Sequence, residues 1–188
     1  MQLGHDGRSC PCPSPGPVDF VVFDMSGAHM LGIDYCGCQI MNPVEWRDQL
    51  LRKRWFPATL VRPQTAFTFD CLDTFHESSL QGKGNLYDFY HTILRITDNA
   101  NLGHSFVSIL FLLKIPFLIY VGVQYRYQDF HRVFRLWRNL LLYKRAGRGQ
   151  DPSGIDGTPP GGAMVECPAC PHPGRNLPDD WEKAGPSL

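Results

Sequence analysis

Residues 18–38 read VDFVVFDMSGAHMLGIDYCGC, and this segment sets the architecture expected of the chain. Apolar, β-branched and aromatic residues lie on both sides of the Ser-Gly dipeptide at 26–27, a pattern that predicts two short strands joined by a tight turn. Cys36 and Cys38 follow the second strand, and the glycine between them permits a sharp bend. We therefore expect an N-terminal β-hairpin that ends in two neighbouring thiols.

Four helices are predicted beyond the hairpin. Their expected positions are Asn42–Arg54, Thr65–Leu80, Asn85–Thr97 and a fourth helix that carries the apolar repeat Phe130, Val133, Phe134, Trp137, Leu140 and Leu141. Asn42 and Pro43 mark the start of the first helix, and Asn85 with Asp88 forms a capping pair at the start of the third. Gly147 is placed to end the fourth.

Composition narrows the classes of function. The chain has 188 residues, 43% of them hydrophobic, and its 18 basic side chains balance 18 acidic ones. This length fits one modest domain, and a net charge of zero points to no particular partner. The sequence contains no H-E-x-x-H pattern, phosphate-binding glycine loop, nucleophile elbow or dinucleotide fingerprint. It therefore gives no support to an enzyme of those classes.

Six of the seven cysteines form three tight pairs, namely Cys10/Cys12, Cys36/Cys38 and Cys167/Cys170. The first residues, MQLGHDGRSCPCPSPG, contain no apolar segment typical of an export signal. Closely paired thiols without such a signal indicate metal ligands more readily than a disulfide framework. The seventh cysteine, Cys71, lies in an apolar helical pattern and is expected to be a buried free thiol.

The C-x2-C spacing of Cys167 and Cys170, in a proline-rich turn, lets two thiolates bind one tetrahedral Zn²⁺. Together with Cys36 and Cys38 they would form a closed, four-thiolate structural site that joins the two ends of the domain. Chance thiols or a reducible disulfide are the plainer alternatives. A thiol redox protein acting through Cys167 and Cys170 is a further one.

Two weaker sets of candidates remain. His5 and His29 are additional candidate metal ligands, although a lone histidine is more often a surface or packing residue. Several arginines lie along the fourth predicted helix and can contact phosphate groups. A charged face exposed to solvent is the commoner explanation for a series of basic residues. The candidate nucleic-acid contacts are Arg132, Arg135, Arg138 and Arg145.

Several stretches of the chain, taken in order, resemble one known family. They are VDFVVFDMSGAH, DYCGC, QLLRKRWFPAT, TAFTFDCLDTFH, LYDFYHTILRITDNA, YRYQDFHRVFRLWRNL, KRAGRGQDP and CPACPHPGRNLPDDW. This order resembles the CxC-type (type two) cysteine-cluster domain associated with KDZ transposases, the Kyakuja–Dileera–Zisupton group. The resemblance implies that Cys36, Cys38, Cys167 and Cys170 bind zinc and that His5 and Cys10 belong to a further ligand stretch.

The resemblance also bears on enzymatic activity. In the family, an RNase H-like transposase domain follows the segment that DDWEKAGP resembles. The resemblance therefore implies a chain truncated at both ends, with residues 182–188 as a linker toward a missing catalytic domain, and no enzyme activity.

One segment, FVSILFLLKIPFLIYVGVQY at Phe106–Tyr125, does not fit the resemblance. The family runs from a segment like ITDNANLGHSF directly into one like YRYQDF, so residues 107–124 are an insertion. Val107-Ser108 can be encoded as GTAAGT and Gln124 as CAG, which are splice-site sequences, so we expect a translated intron. The alternatives are a membrane span and a buried helix. A membrane span is possible because about 20 apolar residues can cross a bilayer even with Lys114 among them.

These observations predict an α+β fold, a small and mainly helical zinc-binding domain with an N-terminal β-hairpin and irregular Pro- and Gly-rich ends. Residues 1–17 form a loop, and residues 18–106 with 125–181 form one cysteine-cluster domain. The expected function is a non-catalytic zinc-binding module of a KDZ transposase-like protein. In the intact parent protein it is expected to bind DNA or a protein partner, such as other parts of the transposase, in the nucleus, and to take no small-molecule substrate. A single-pass membrane protein anchored by residues 106–125 and a non-functional transposon remnant are the alternatives.

Overall fold

The chain forms two compact units, Met1–Arg138 and Asn139–Leu188. A computed structural model describes residues 1–5, 8–38, 44–98, 126–159, 161–163, 167, 169–174, 176–177 and 179–183. The predicted insertion at 107–124 and the predicted helix start at Asn42-Pro43 lie outside these residues.

Across the described ranges, no helix combines the length and the apolar character needed to cross a membrane.

Six strands and four α-helices are present in the described residues. The strands are β1 Pro13–Pro15, β2 Phe20–Asp24, β3 Gly27–Leu31, β4 Asp34–Cys36, β5 Trp55–Pro57 and β6 Thr65–Thr68. The helices are α1 Trp46–Arg52, α2 Phe69–Gln81, α3 Leu86–Thr97 and α4 Tyr127–Arg145, and one 3₁₀ turn spans Trp181–Lys183.

The predicted hairpin is confirmed as β2 and β3, which pair antiparallel with Asp24 opposite Gly27. β6 pairs parallel with β2 and antiparallel with β5, so the larger sheet has the order β3-β2-β6-β5. Gly27 has a φ of +132°, and a Cβ atom there would lie 2.9 Å from Thr97 Oγ1. Glycine at this turn therefore lets the end of α3 lie against the hairpin.

Side chains of the larger sheet are buried on both faces. Phe20 and Val22 pack into a cluster whose other buried members are Leu3, Ile33, Tyr35, Leu50 and Ala66. On the opposite face Phe23 stacks on Phe67 with 5.0 Å between ring centroids, and Phe67 stacks on Phe130 of α4 at 4.8 Å. The sheet is thus a central layer, with the N-terminal segment and α1 on one side and α2, α3 and the first part of α4 on the other.

The α+β class is confirmed, although strands contribute more than a mainly helical fold implies. Thr65–Thr68, predicted as the first turn of a helix, forms β6 instead. This correction has a tertiary cause, because pairing with β2 and β5 satisfies the backbone of the segment and buries its first three residues. The helix begins at Phe69, where the Thr68 hydroxyl accepts a hydrogen bond from the Cys71 backbone N–H at 3.2 Å.

The helix ends follow local sequence signals. The Asp88 backbone N–H donates to Asn85 Oδ1 at 2.8 Å, which confirms the predicted cap of α3. Beyond α4, Gly147 lies at a φ of +73° and its N–H donates to the Lys144 carbonyl at 3.1 Å, which confirms the predicted stop. The predicted apolar stripe of α4 is buried from Phe130 to Trp137 in the first unit.

Candidate metal centre

Four side chains that can bind a metal ion lie together in the first unit, namely His5, Cys10, Cys36 and Cys38. One ligand atom from each lies within 4.8 Å of all the others. The Sγ atoms of Cys10 and Cys38 are 3.3 Å apart, and His5 Nε2 is 3.2 Å from Cys36 Sγ. Neighbouring ligand atoms of a tetrahedral zinc site with three sulfurs and a nitrogen are about 3.5–3.8 Å apart, given the usual bond lengths. The four atoms therefore lie close to the spacing that zinc requires.

Strand pairing brings the two C-x-C pairs together. β1 and β4 are antiparallel, with Pro13 opposite Cys36, so the chain just before β1 runs beside the chain just after β4. The Gly37 N–H donates to the Cys12 carbonyl at 2.9 Å and continues this alignment. As a result the Cys10 and Cys38 thiols meet, although 27 residues separate them in the sequence.

The N-terminal segment positions His5 beside the three cysteines. The Leu3 N–H donates to the Asp34 carbonyl at 2.8 Å, which fixes the segment beside β4. Gly4 then turns the chain at a φ of +84°, and a Cβ atom there would lie 2.9 Å from Cys36 Cβ. Glycine is therefore required at this position for both the backbone conformation and the close approach, and the turn brings His5 to the cluster.

Gln49 in α1 fixes the other side of the centre. Its side chain is 5% exposed. Its Oε1 accepts from the Cys36 N–H at 2.7 Å, and its Nε2 donates to the carbonyls of Cys36 at 3.0 Å and Val44 at 3.1 Å. Both hydrogen-bonding atoms of this buried amide are thus used, in two bonds to the backbone of Cys36 and one to the carbonyl of Val44. Gln49 could not be predicted from the sequence, because no local pattern marks a residue whose partner lies 13 positions away.

The electrostatics of the centre favour a thiolate at Cys10. Burial raises the pKa of Cys10, but hydrogen bonds, foremost the one with the Cys38 thiol, outweigh it and lower the value from 9.0 to about 7. The same hydrogen bond, together with burial, raises the pKa of Cys38 to about 12. The two sulfurs therefore share one proton, and the thiolate is the form of cysteine that binds metals.

Other candidate residues near the hairpin lie apart from this group. His29, a predicted ligand, has its Nε2 3.0 Å from Ser26 Oγ and is not among the four clustered side chains. Cys12 is an exposed free thiol outside the four. Cys71 is free and fully buried, as predicted, and burial raises its pKa to about 12.

Cys167 and Cys170 lie in a turn of the second unit. The Cys170 N–H donates to the Cys167 carbonyl at 3.2 Å, and Asn176 Nδ2 donates to the Cys170 carbonyl at 2.7 Å. A hydrogen bond from the Cys170 side chain lowers the pKa of Cys167. The turn thus brings two exposed thiols together. That they share a zinc ion with Cys36 and Cys38 stays a prediction.

The predicted nucleic-acid contacts on α4 are all exposed. The guanidinium of Arg132 lies 2.6 Å from the Asp129 carboxylate, and that of Arg138 lies over the Phe134 ring at 5.9 Å from its centroid. Contact between these arginines and a nucleic acid stays a prediction.

A family model described as "CxC2 like cysteine cluster associated with KDZ transposases" matches residues 1–101. This range includes all four clustered side chains. A search of curated proteins and a search of solved structures each give no match.

Proposed function

The chain belongs to the CxC2-like cysteine-cluster family associated with KDZ transposases, and on this basis we propose that it is a non-catalytic zinc-binding module. The observation that carries the proposal is the convergence of His5, Cys10, Cys36 and Cys38 within 4.8 Å. Three thiolates with an imidazole are a donor set typical of Zn²⁺. Four protein ligands complete a tetrahedral coordination shell, so the ion would be structural, with no open position for a substrate or a reactive water.

The proposed role of the ion is to cross-link the N-terminal segment to the end of β4. His5 and Cys10 belong to the N-terminal segment, and Cys36 and Cys38 to the end of β4. Bound zinc would cross-link these segments, and the free energy of metal binding would become free energy of folding.

In this proposal the module serves a KDZ transposase-like protein in the nucleus, where it contacts DNA or other parts of the transposase. The family's association with transposases supports this role, as do the exposed arginines of the chain. The membrane hypothesis concerns residues 106–125, of which all lie outside the described residues.

Metal content and cobalt spectroscopy test the proposal. We expect the purified chain to bind zinc, and the Co²⁺ form to show the absorption of a tetrahedral site with three thiolates. Cys10→Ser should abolish this site, while the matched variant Cys12→Ser, two residues away and outside the cluster, should leave it intact. His5→Ala and His29→Ala form a second matched pair with the same expectation. Equal loss in both members of each pair would contradict the assigned ligands.

The same assay decides the part played by the second unit. If Cys167→Ser with Cys170→Ser leaves the cobalt spectrum unchanged, the four residues of the first unit are the complete ligand set. If the double variant removes the sulfur-to-cobalt absorption while Cys10→Ser does not, the four-thiolate site predicted from the sequence is correct instead.

A further inference from the structure

A cationic cleft lies beside the metal centre in the first unit. It has a volume of about 1030 Å³, and His5, Cys36 and Cys38 form part of its wall. The basic residues that line it are Arg8, Arg52, Lys53 and Arg54. Among its described lining residues none is acidic. The whole chain has zero net charge, so a wall whose charged residues are all basic is a local concentration of positive charge.

Most of this charge is available to a ligand. Arg54 is 3.0 Å from the Asp70 carboxylate, an exposed pair. Within the described part of the chain, Arg8, Arg52 and Lys53 have no ion-pair partner, and all three are exposed. A zinc ion held by three thiolates and a neutral imidazole would add one net negative charge to the wall, and the three positive charges of Arg8, Arg52 and Lys53 outweigh it.

The spread of the cations suits an extended anion. Arg52 is the last residue of α1, Lys53 caps the helix, and Arg54 follows at a φ of +62°, so the backbone turns across these residues and their side chains leave it in different directions. Divergent cations cannot converge on one small anion, but they can neutralise successive phosphates of a polymer. Arginine also matches phosphate oxygens with two parallel hydrogen bonds.

The lining also distinguishes between forms of nucleic acid. His5 is the only ring-bearing side chain among the described lining residues, so no phenyl or indole platform is present on which unpaired bases could stack. The geometry points to a phosphate-backbone binding site for duplex nucleic acid in the cleft between the metal centre and the end of α1. This inference rests on the proposed function, and it assigns the contact to this cleft rather than to the arginines of α4, where Arg132 is paired with Asp129.

Two triple variants of equal charge change test the assignment in the full, zinc-loaded chain. The cleft variant carries Arg8→Gln, Arg52→Gln and Lys53→Gln, and the matched helix variant carries Arg132→Gln, Arg135→Gln and Arg138→Gln. The measurement is fluorescence anisotropy with a labelled duplex of roughly 20 base pairs at several salt concentrations. We expect the cleft variant to bind at least about tenfold more weakly and the salt slope to fall by about three. The helix variant should stay within about twofold of the unchanged chain.

Each outcome decides a separate question. Loss of binding in the helix variant alone would overturn the cleft assignment while leaving DNA binding intact. Equal affinity for a single strand of the same length would also overturn the duplex site. If polyglutamate displaces the duplex at equal charge concentration, the cleft binds acidic peptides and the inference is wrong. An unchanged cobalt spectrum in both variants shows that the metal centre is folded, so these failures are distinguishable from failure of the proposed zinc site.

Discussion

The side-chain amide of Gln49 bonds to both backbone groups of Cys36, one of the four clustered candidate ligands. An amide can do this because it presents a donor and an acceptor side by side, which matches the N–H and C=O of one residue. A buried amide with all its hydrogen bonds formed holds its partner in one position, so the backbone of Cys36 is fixed and its thiol is oriented before any metal binds.

We expect Gln49→Leu to weaken the metal centre through this backbone contact. The substitution keeps the side-chain volume but leaves the two Cys36 groups without their partner, at a cost of about 1–3 kcal/mol in the free energy of unfolding. Zinc affinity should fall with it, as measured by competition with a chromophoric chelator. The matched control is Gln128→Leu, an exposed position in α4. Unchanged zinc affinity in Gln49→Leu would contradict the positioning role.

Asp24 connects the hairpin to the start of α2. Its carboxylate accepts from Ser26 Oγ at 2.8 Å and from Thr68 Oγ1 at 2.9 Å. Thr68 uses its oxygen in turn to cap α2 by accepting from the Cys71 N–H. Burial raises the pKa of Asp24, but the hydrogen bonds from Ser26 and Thr68 outweigh it and hold the pKa below its ordinary value of 3.8.

This lowered pKa predicts a pH dependence. A carboxylate with a depressed folded-state pKa contributes stability that is present above the unfolded value of 3.8 and is lost as the pH falls through the folded value. Asp24→Asn should therefore destabilise the chain by about 1 kcal/mol near neutral pH, since the group is partly exposed, and by less below about pH 4. Urea unfolding from about pH 3 to about pH 7 measures this difference, with Asp19→Asn as an exposed control. A difference that stays constant with pH would refute the prediction.

Among the elements, α4 is joined to the sheet by aromatic packing. Phe130 is fully buried and stacks on Phe67 of β6, and Trp137 Nε1 donates to Asp73 of α2 at 3.1 Å. Aromatic side chains contribute large buried areas, so this face holds the helix in place.

Phe130→Ala should lower the free energy of unfolding by about 3–5 kcal/mol, because it removes a ring from a packed core and leaves a cavity. Phe130→Leu should cost less, since it refills part of that volume. Leu136→Ala, at a position that is 47% exposed on the same helix, is the control and should change stability by less than about 0.5 kcal/mol. Denaturant unfolding monitored by circular dichroism gives all three values. Equal effects of Phe130→Ala and Leu136→Ala would show that α4 does not pack on the sheet.

Elements with local signals could be predicted from the sequence, and those that depend on distant pairing could not. The cap of α3 at Asn85 and the hairpin around Gly27 are encoded within a few residues, and both predictions are confirmed. Thr65–Thr68 forms a strand because β2, more than 40 residues earlier, pairs with it, and no local pattern records that partner. The centre follows the same rule. Cys36 and Cys38 are evident from their spacing, while Cys10 reaches them through the pairing of β1 with β4 and His5 through the hydrogen bond of Leu3 to Asp34.

At the scale of the first unit, two parts differ in what stabilises them. The larger sheet and α2 to α4 share an aromatic core that includes Phe67, Phe75 and Phe130. The N-terminal segment and β4 contribute Leu3 and Tyr35 to the apolar cluster on the other face of the sheet, but around the four clustered side chains they are joined by a two-stranded sheet and a few backbone bonds. A two-stranded sheet is marginal by itself in water, so a bound metal ion would stabilise the second part more than the first.

Removal of zinc should therefore loosen the N-terminal segment and β4 and leave the larger sheet and α2 nearly unchanged. In hydrogen exchange followed by mass spectrometry, we expect chelator treatment to raise exchange strongly in residues 1–17 and 34–38 and only slightly in β2, β6 and α2. The physical reason is that a bound zinc ion would close the loop between His5 and Cys38, and its removal would return that conformational freedom to the chain. Cys10→Ser should reproduce the chelator pattern without added chelator, whereas Cys12→Ser should match the zinc-loaded chain. A uniform rise in exchange across both parts of the first unit would mean that the metal stabilises the whole unit. No rise in exchange at all would mean that these four side chains hold no structural metal.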